Sequence, residues 1–265
     1  MAEHDVGVGL YKQAEARLAG GEVTIAARLA GRAREVLAQA QDIDSACAAA
    51  TLEGRIHLLA GNLQAAGECI EWVLEHGHEH ELVGRVLSAM TDRGTLFEAV
   101  GDVNGAVETH VAVLEMMRER DDLHGIATAA GNVGRLMVRL MRFDEARTLL
   151  NEARQLFEQL QDSPGIINVV ICLGDLERGL SRLEPAREAF ETAVALADTD
   201  RLALLRSVAL LNLGHVLRDL GQAARSLQVF DESHEITVRH GDVQGAARAR
   251  LAQAMVLADS DSPAQ

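Results

Sequence analysis

Residues 128–160 have the sequence TAAGNVGRLMVRLMRFDEARTLLNEARQLFEQL, and this stretch decides the fold class. Apolar and small residues recur in it at steps of three and four, which is the period of an amphipathic α-helix. Met141 and Arg142 interrupt the pattern between its two halves. The stretch therefore predicts two consecutive helices joined by a short turn.

The same pattern returns every 40 residues along the chain. Glycine occupies one position of this period at Gly54, Gly94, Gly134, Gly174 and Gly214. Another position is small in six successive periods, at Ala26, Ala66, Ala106, Ala146, Ala186 and Ser226. Small residues at a helix crossing let the two axes approach to about 8–10 Å. We therefore expect a stack of helix pairs in which these columns are packing positions.

The repeated unit resembles the tetratricopeptide repeat. The resemblance is carried by Gly134, Phe143, Ala146, Leu150 and Ala153, and by their equivalents 40 residues later. A 40-residue period is similar to the long-repeat subfamily found in cell-polarity scaffolds, kinesin light chains, Rap-type peptide-sensing regulators and MalT-type activators. The resemblance implies an all-α fold, a right-handed α-α superhelical solenoid of about six helix pairs plus a C-terminal capping helix.

The repeats divide the sequence as follows. Residues 1–8 are expected to form an N-terminal leader, and residues 9–240 the six repeats, at about 9–40, 41–80, 81–120, 121–160, 161–200 and 201–240. Residues 241–258 are expected to form the capping helix that covers the last repeat. Residues 259–265 are expected to be a disordered tail.

Composition excludes several classes of function. A formal net charge of −15 disfavours nucleic acid as the principal partner. No apolar run approaches the roughly 18 residues of a membrane span, and no signal peptide is present, so we predict no membrane partner and a cytoplasmic location. Cys47, Cys69 and Cys172 are odd in number and form no C-x-x-C motif, which favours reduced thiols over disulfides or zinc ligands.

No catalytic motif or cofactor motif occurs in the sequence, so we predict a protein that is not an enzyme and uses no cofactor. The segment EHGHEHE places His76 and His80 at the i, i+4 spacing of some metal ligands. The glutamate positions do not match H-E-x-x-H, and histidines near a helix end interact favourably with its dipole. We therefore predict no metal site.

The resemblance implies that the first helix of each pair lines a concave groove. Residues that follow one another at steps of four, three and four share one face of a helix, as Thr128, Asn132, Arg135 and Arg139 do. The same steps pick out polar residues on the first helices of repeats 2 to 6. The candidates for peptide binding are Arg55, Thr95, Thr128, Asn132, Arg135, Arg139, Asn168, Asp175, Arg178, Asn212, His215 and Arg218. Asparagine amides can pair with a peptide backbone and arginines with its carboxylates. We therefore predict a scaffold or adaptor that binds a linear, acidic or C-terminal peptide segment of a partner protein.

Two alternatives keep the same fold. The protein could sense a short signalling peptide and regulate a separate effector, as the Rap-type resemblance allows. It could also assemble with copies of itself through its terminal repeats. Arg248, Arg250 and Gln253 on the last helix favour a closed, polar end over such assembly.

Overall fold

The chain is described here by a computed structural model that covers residues 2–261, with side chains for residues 3–259. Within this range the chain forms thirteen α-helices, one short 3-10 helix and no β-strand. The predicted all-α class is confirmed. The chain divides into two compact units, unit 1 up to Met116 and unit 2 from Met117 onward.

Unit 1 holds the first six helices. Their bounds are α1 Ala2–Ala19, α2 Val23–Gln39, α3 Ile43–Leu59, α4 Leu63–Glu79, α5 Val83–Val100 and α6 Val103–Glu119, of which the last three residues are counted with unit 2. Each helix packs against the next in the chain from α1 to α5, and the first helices of successive pairs, α3 and α5, also touch.

Unit 2 repeats this arrangement. Its helices are α7 Leu123–Arg139, α8 Phe143–Leu160, α9 Ser163–Gly179, α10 Leu183–Leu196, α11 Ala203–Asp219, α12 Ala223–Arg239 and α13 Val243–Asp261. Helix α2 begins at Val23, and each later helix up to α13 begins 20 residues after the one before it. The 40-residue sequence period is therefore a helix pair, and α7, α9 and α11 lie side by side as the first helices of their pairs.

The turns share one backbone geometry. A residue with positive φ lies two positions before the next helix in eleven turns, at Gly21, Gln41, Gly61, Glu81, Gly101, Asp121, Met141, Gln161, Ser181, Gly221 and Gly241. Gln41 donates its N–H to Ala38 at 3.0 Å and Asp42 donates to Leu37 at 3.0 Å, which is the Schellman pattern that satisfies the last carbonyls of a helix. The connection from α10 to α11 departs from it, with extended Thr199 leading into a 3-10 turn at Asp200–Leu202.

The glycine column is explained by close approach within each helix pair. A Cβ on Gly134 would lie 2.8 Å from Leu150, and one on Gly174 would lie 2.7 Å from the ring of Phe190. Leu150 and Phe190 are fully buried, so neither side chain has space to withdraw. These glycines are packing residues, as the sequence predicts.

The two chain ends can be compared with the expected leader and tail. Helix α1 begins at Ala2, so it covers most of the segment 1–8, and α13 continues to Asp261, which lies beyond position 258. Residues 262–265 of the expected tail lie outside the described part of the chain. On α13, Gln253 is buried and donates to Asp231 at 2.6 Å, so this polar residue faces α12. No helix in the described range is long and apolar enough to cross a membrane.

Candidate functional site

A cleft of about 410 Å³ opens in unit 2 between the neighbouring helices α7 and α9. Four of the predicted residues line it, Thr128, Asn132 and Arg135 from α7 and Asn168 from α9. The three α7 residues share one face because they are spaced four and three apart. The structure therefore brings together four candidates that the sequence places in two different repeats.

Apolar residues also line the cleft. Phe157 from α8 and Pro164 and Val169 from α9 contribute this surface. Gly165 allows it, because a Cβ at that position would collide with the ring of Phe157. None of these apolar residues is among the candidates that the sequence predicts, although Pro164 lies four residues before Asn168 and therefore shares its helix face.

His124 forms the rim of the cleft at the start of α7. Its Nε2 lies 3.1 Å from a carboxylate oxygen of Asp162, and its ring meets Phe157 edge-on at 5.9 Å. Asp162 also caps α9 by accepting the N–H of Gly165 at 3.1 Å. Asp162 therefore holds His124 in place and also determines where α9 begins.

Cys172 lies on the α9 side of the same cleft. Burial raises the pKa of this thiol to about 12, and Asp175 acts in the same direction while Arg135 opposes it. A thiol with so high a pKa is neutral and unreactive at physiological pH. Burial likewise raises the pKa of Cys47 to about 11 and that of Cys69 to about 12, and all three cysteines are free.

In unit 1, the residues that correspond to Arg135 and Cys172 by the 40-residue period are hydrogen-bonded to each other. Arg55 on α3 donates through Nε to both carboxylate oxygens of Asp92 on α5 at 2.9 Å, and through a terminal nitrogen to Ser88 at 3.0 Å. Burial raises the pKa of Asp92, although Arg55 opposes the shift. Two 40-residue periods further along the chain, Arg135 takes the position of Arg55 and Cys172 takes the position of Asp92. The carboxylate of the Arg55–Asp92 pair is therefore replaced by a neutral thiol in the cleft of unit 2.

The next pair of first helices, α9 and α11, carries further candidates. Arg178 donates to Asp219 at 3.2 Å, and Arg218 donates to the other oxygen of the same carboxylate at 3.4 Å. Burial raises the pKa of Asp175 to about 6, although Arg178 opposes the shift. The surface next to the cleft therefore carries both signs of charge.

His215 and Asn212 complete the α11 surface and are half-buried. The imidazole of His215 packs edge-on against Phe230, with ring centroids 5.2 Å apart. Burial lowers the pKa of His215, and Arg178 and Arg218 lower it further, with Asp219 opposing. His215 is consequently neutral at physiological pH and can either donate or accept a hydrogen bond.

The remaining candidates do not line the cleft. Arg139 is exposed at the end of α7, and Thr95 is exposed on α5, where its hydroxyl donates to the Thr91 carbonyl at 3.2 Å. His76 stacks on Trp72 with ring centroids 4.0 Å apart. In the described part of the chain, no three histidine, cysteine or acidic side chains are placed to hold a metal ion together.

One part of the chain matches a known family. The tetratricopeptide repeat family profile matches residues 125–199, which include both sides of the cleft. No curated protein sequence matches the chain significantly.

Solved structures share the fold over most of the chain. The apo form of RapI has a TM-score of 0.64 at 14% identity, over 96% of this chain and 98% of that one. A Rap protein complexed with competence and sporulation factor has a TM-score of 0.66 at 16% identity, over 94% and 74%. NprR in complex with its cognate peptide NprX has a TM-score of 0.62 at 16% identity, over 81% and 62%. Identities this low establish a common fold and nothing further.

Proposed function

We propose that this protein binds a linear peptide segment of a partner in the cleft between α7 and α9. The match of residues 125–199 to the tetratricopeptide repeat family supports the proposal. The observation that carries the proposal is the convergence of Thr128, Asn132, Arg135 and Asn168 on one opening. The role is binding rather than catalysis, with the protein acting as an adaptor.

The amides on the two sides of the cleft suit an extended peptide backbone. Asn132 and Asn168 each offer a donor and an acceptor, and they lie on the neighbouring helices α7 and α9. A volume of about 410 Å³ is in the range of small ligand sites and accommodates a short run of residues. The helices that carry the amides are already packed, so little ordering entropy is lost on the protein side.

Arg135 selects for an acidic group in this proposal. Its side chain lines the cleft together with Asn132 and Asn168. A guanidinium binds carboxylates bidentately, so a cleft lined by Arg135 suits a ligand with an acidic group. Arg178 and Arg218 share the carboxylate of Asp219, so Arg135 is the residue that carries the acidic preference in this proposal.

A sensor role is the second candidate. The similar structures include a Rap protein bound to competence and sporulation factor and NprR bound to its cognate peptide. A sensor would change conformation when it binds its peptide, whereas an adaptor would keep its shape. Small-angle scattering with and without bound peptide separates these roles, because compaction favours the sensor and an unchanged envelope favours the adaptor.

Peptide display tests the binding proposal. A library of random nine-residue peptides is selected against the wild-type protein, and enriched peptides are measured by fluorescence anisotropy. Arg135→Glu should weaken binding by about tenfold or more, the loss expected for one charge-assisted pair of about 1–3 kcal/mol. Arg154→Glu is the matched control, because Arg154 is exposed on α8 and does not line the cleft. No enrichment, or equal affinities for Arg135→Glu and the wild type, would overturn the proposal.

A further inference from the structure

Two large apolar side chains are exposed on α11, beside the α9 wall of the cleft. Leu204 is 45% exposed and Val208 is 44% exposed. They are four residues apart and therefore share one face of the helix. They also stand one repeat after Pro164 and Asn168, which both line the cleft. Leu204 and Val208 thus continue the cleft surface from α9 onto α11.

The continued surface has an apolar edge and a charged edge. Phe157, Pro164, Leu204 and Val208 come from the end of α8 and the first turns of α9 and α11. The arginines lie in the second halves of their helices, at Arg135, Arg178 and Arg218. A ligand that lies across α7, α9 and α11 therefore meets apolar groups along one side and guanidinium groups along the other.

We infer that the ligand of this cleft is an amphipathic peptide, in which an acidic residue binds Arg135 and a large apolar residue covers Leu204 and Val208. This inference rests on the proposed function and adds the apolar requirement to it. Exposed apolar surface next to a polar cleft is typical of binding sites, because covering it removes apolar area from water. The acidic part of the ligand complements Arg135, which lines the cleft, and this preference distinguishes an amphipathic peptide from a purely apolar one.

The helix spacing sets the distance between the two ligand groups. Neighbouring helix axes lie about 8–10 Å apart, so α7 and α11 are separated by about 16–20 Å. An extended peptide advances about 3.3 Å per residue. Arg135 also lies 7 to 11 residues further from the start of its helix than Val208 and Leu204 do, an offset of about 10–17 Å along the helix axes. The combined separation of about 19–26 Å places the acidic and the apolar residue of the ligand about six to eight positions apart, a spacing that fits within a nine-residue peptide.

Selection of the same nine-residue display library against paired variants tests this inference. The test variant is Leu204→Ser with Val208→Thr, and the control is Leu196→Ser with Val238→Thr. Leu196 and Val238 are matched in type and are 44% and 58% exposed, and they lie on α10 and α12, away from the cleft. Thermal unfolding of both double variants checks that the fold is retained.

The wild-type protein and the control should enrich peptides that carry an acidic residue and a large apolar residue at a fixed spacing. The test variant should still select peptides with an acidic residue but should no longer select for an apolar one. It should bind a peptide selected on the wild-type protein about tenfold more weakly, which is the discrimination that one apolar group gives. Acidic peptides without an apolar preference in the wild-type selection would overturn the inference and leave the proposed function standing. No enrichment by any protein would instead overturn the proposed function.

Discussion

His110 and Glu98 face each other inside unit 1, with Nε2 of the imidazole 3.7 Å from Oε1 of the carboxylate. The side chain of His110 is 1% exposed and that of Glu98 is 11% exposed. Neither ring nitrogen of His110 has a hydrogen-bond partner. The equivalent position in other repeats is Ile70, Leu150, Phe190 or Phe230. A polar ring therefore occupies a position that the repeat otherwise fills with an apolar side chain.

Replacing His110 with leucine should stabilise the protein. Two buried polar atoms without partners are removed, and each such atom costs about 1–3 kcal/mol. Chemical denaturation at pH 7.5 should show an unfolding free energy higher by about 1–3 kcal/mol, while Leu150→His should lower it. A loss of stability in His110→Leu would mean that the contact with Glu98 is a favourable ion pair.

The glycine column should tolerate no side chain. Gly174→Ala places a methyl group against the buried ring of Phe190, and overpacking of this kind costs about 1–3 kcal/mol. Gly9 is the matched control, because it also lies inside a helix but has no atom within 4 Å of the added Cβ. Gly9→Ala should raise the unfolding free energy by up to about 1 kcal/mol through helix propensity. Equal effects of the two substitutions would contradict the close-approach explanation.

Arg55 should contribute to stability rather than to binding. Arg55→Ala leaves the buried carboxylate of Asp92 without the Nε–H donor that both of its oxygens share, and loss of a hydrogen bond to a charged group costs about 1–3 kcal/mol. We expect a lower unfolding free energy and an unchanged affinity for a peptide selected on the wild-type protein. If the affinity falls and the stability does not, Arg55 belongs to the peptide site, as the sequence analysis predicts.

Asp175 should make the stability depend on pH. Its pKa is raised to about 6 by burial, so the folded protein holds this proton more tightly than the unfolded chain does. The stabilisation is fully present at low pH and is lost as the pH rises through about 6. Asp175→Asn should therefore raise the unfolding temperature more at pH 8 than at pH 5. An equal effect at the two pH values would show that the carboxyl is not perturbed by burial.

Much of the fold is predictable because its determinants are local and periodic. The turn residues with positive φ, the glycines at 40-residue intervals and the apolar residues at helical spacing all occupy positions that recur at fixed intervals. Asp42, Asp102, Asp122, Asp162 and Asp242 each accept an N–H three residues later and so cap the following helix. The connection before Ala203 is harder to predict, since it lacks this turn and depends on how α10 and α11 pack.

The candidate site is less predictable because its determinants lie between repeats. The sequence predicts that Asn132 and Arg135 share a helix face, and the structure places both on the cleft with Asn168. The sequence does not show that Arg55 pairs with Asp92, 37 residues away on the neighbouring first helix. It also does not indicate that Leu204 is left exposed, because leucine at helical spacing normally indicates core. These features follow from the stacking of helices and not from any pattern within one repeat.

The most direct test of the central claim is a charge reversal across the cleft. An acidic peptide selected on the wild-type protein, and the same peptide with its acidic residue replaced by lysine, are titrated by fluorescence anisotropy against the wild type and Arg135→Glu. We predict that Arg135→Glu loses affinity for the acidic peptide and gains affinity for the lysine peptide, so that the preference reverses. If both proteins prefer the same peptide by the same ratio, the peptide does not bind beside Arg135 and the account of this cleft is wrong.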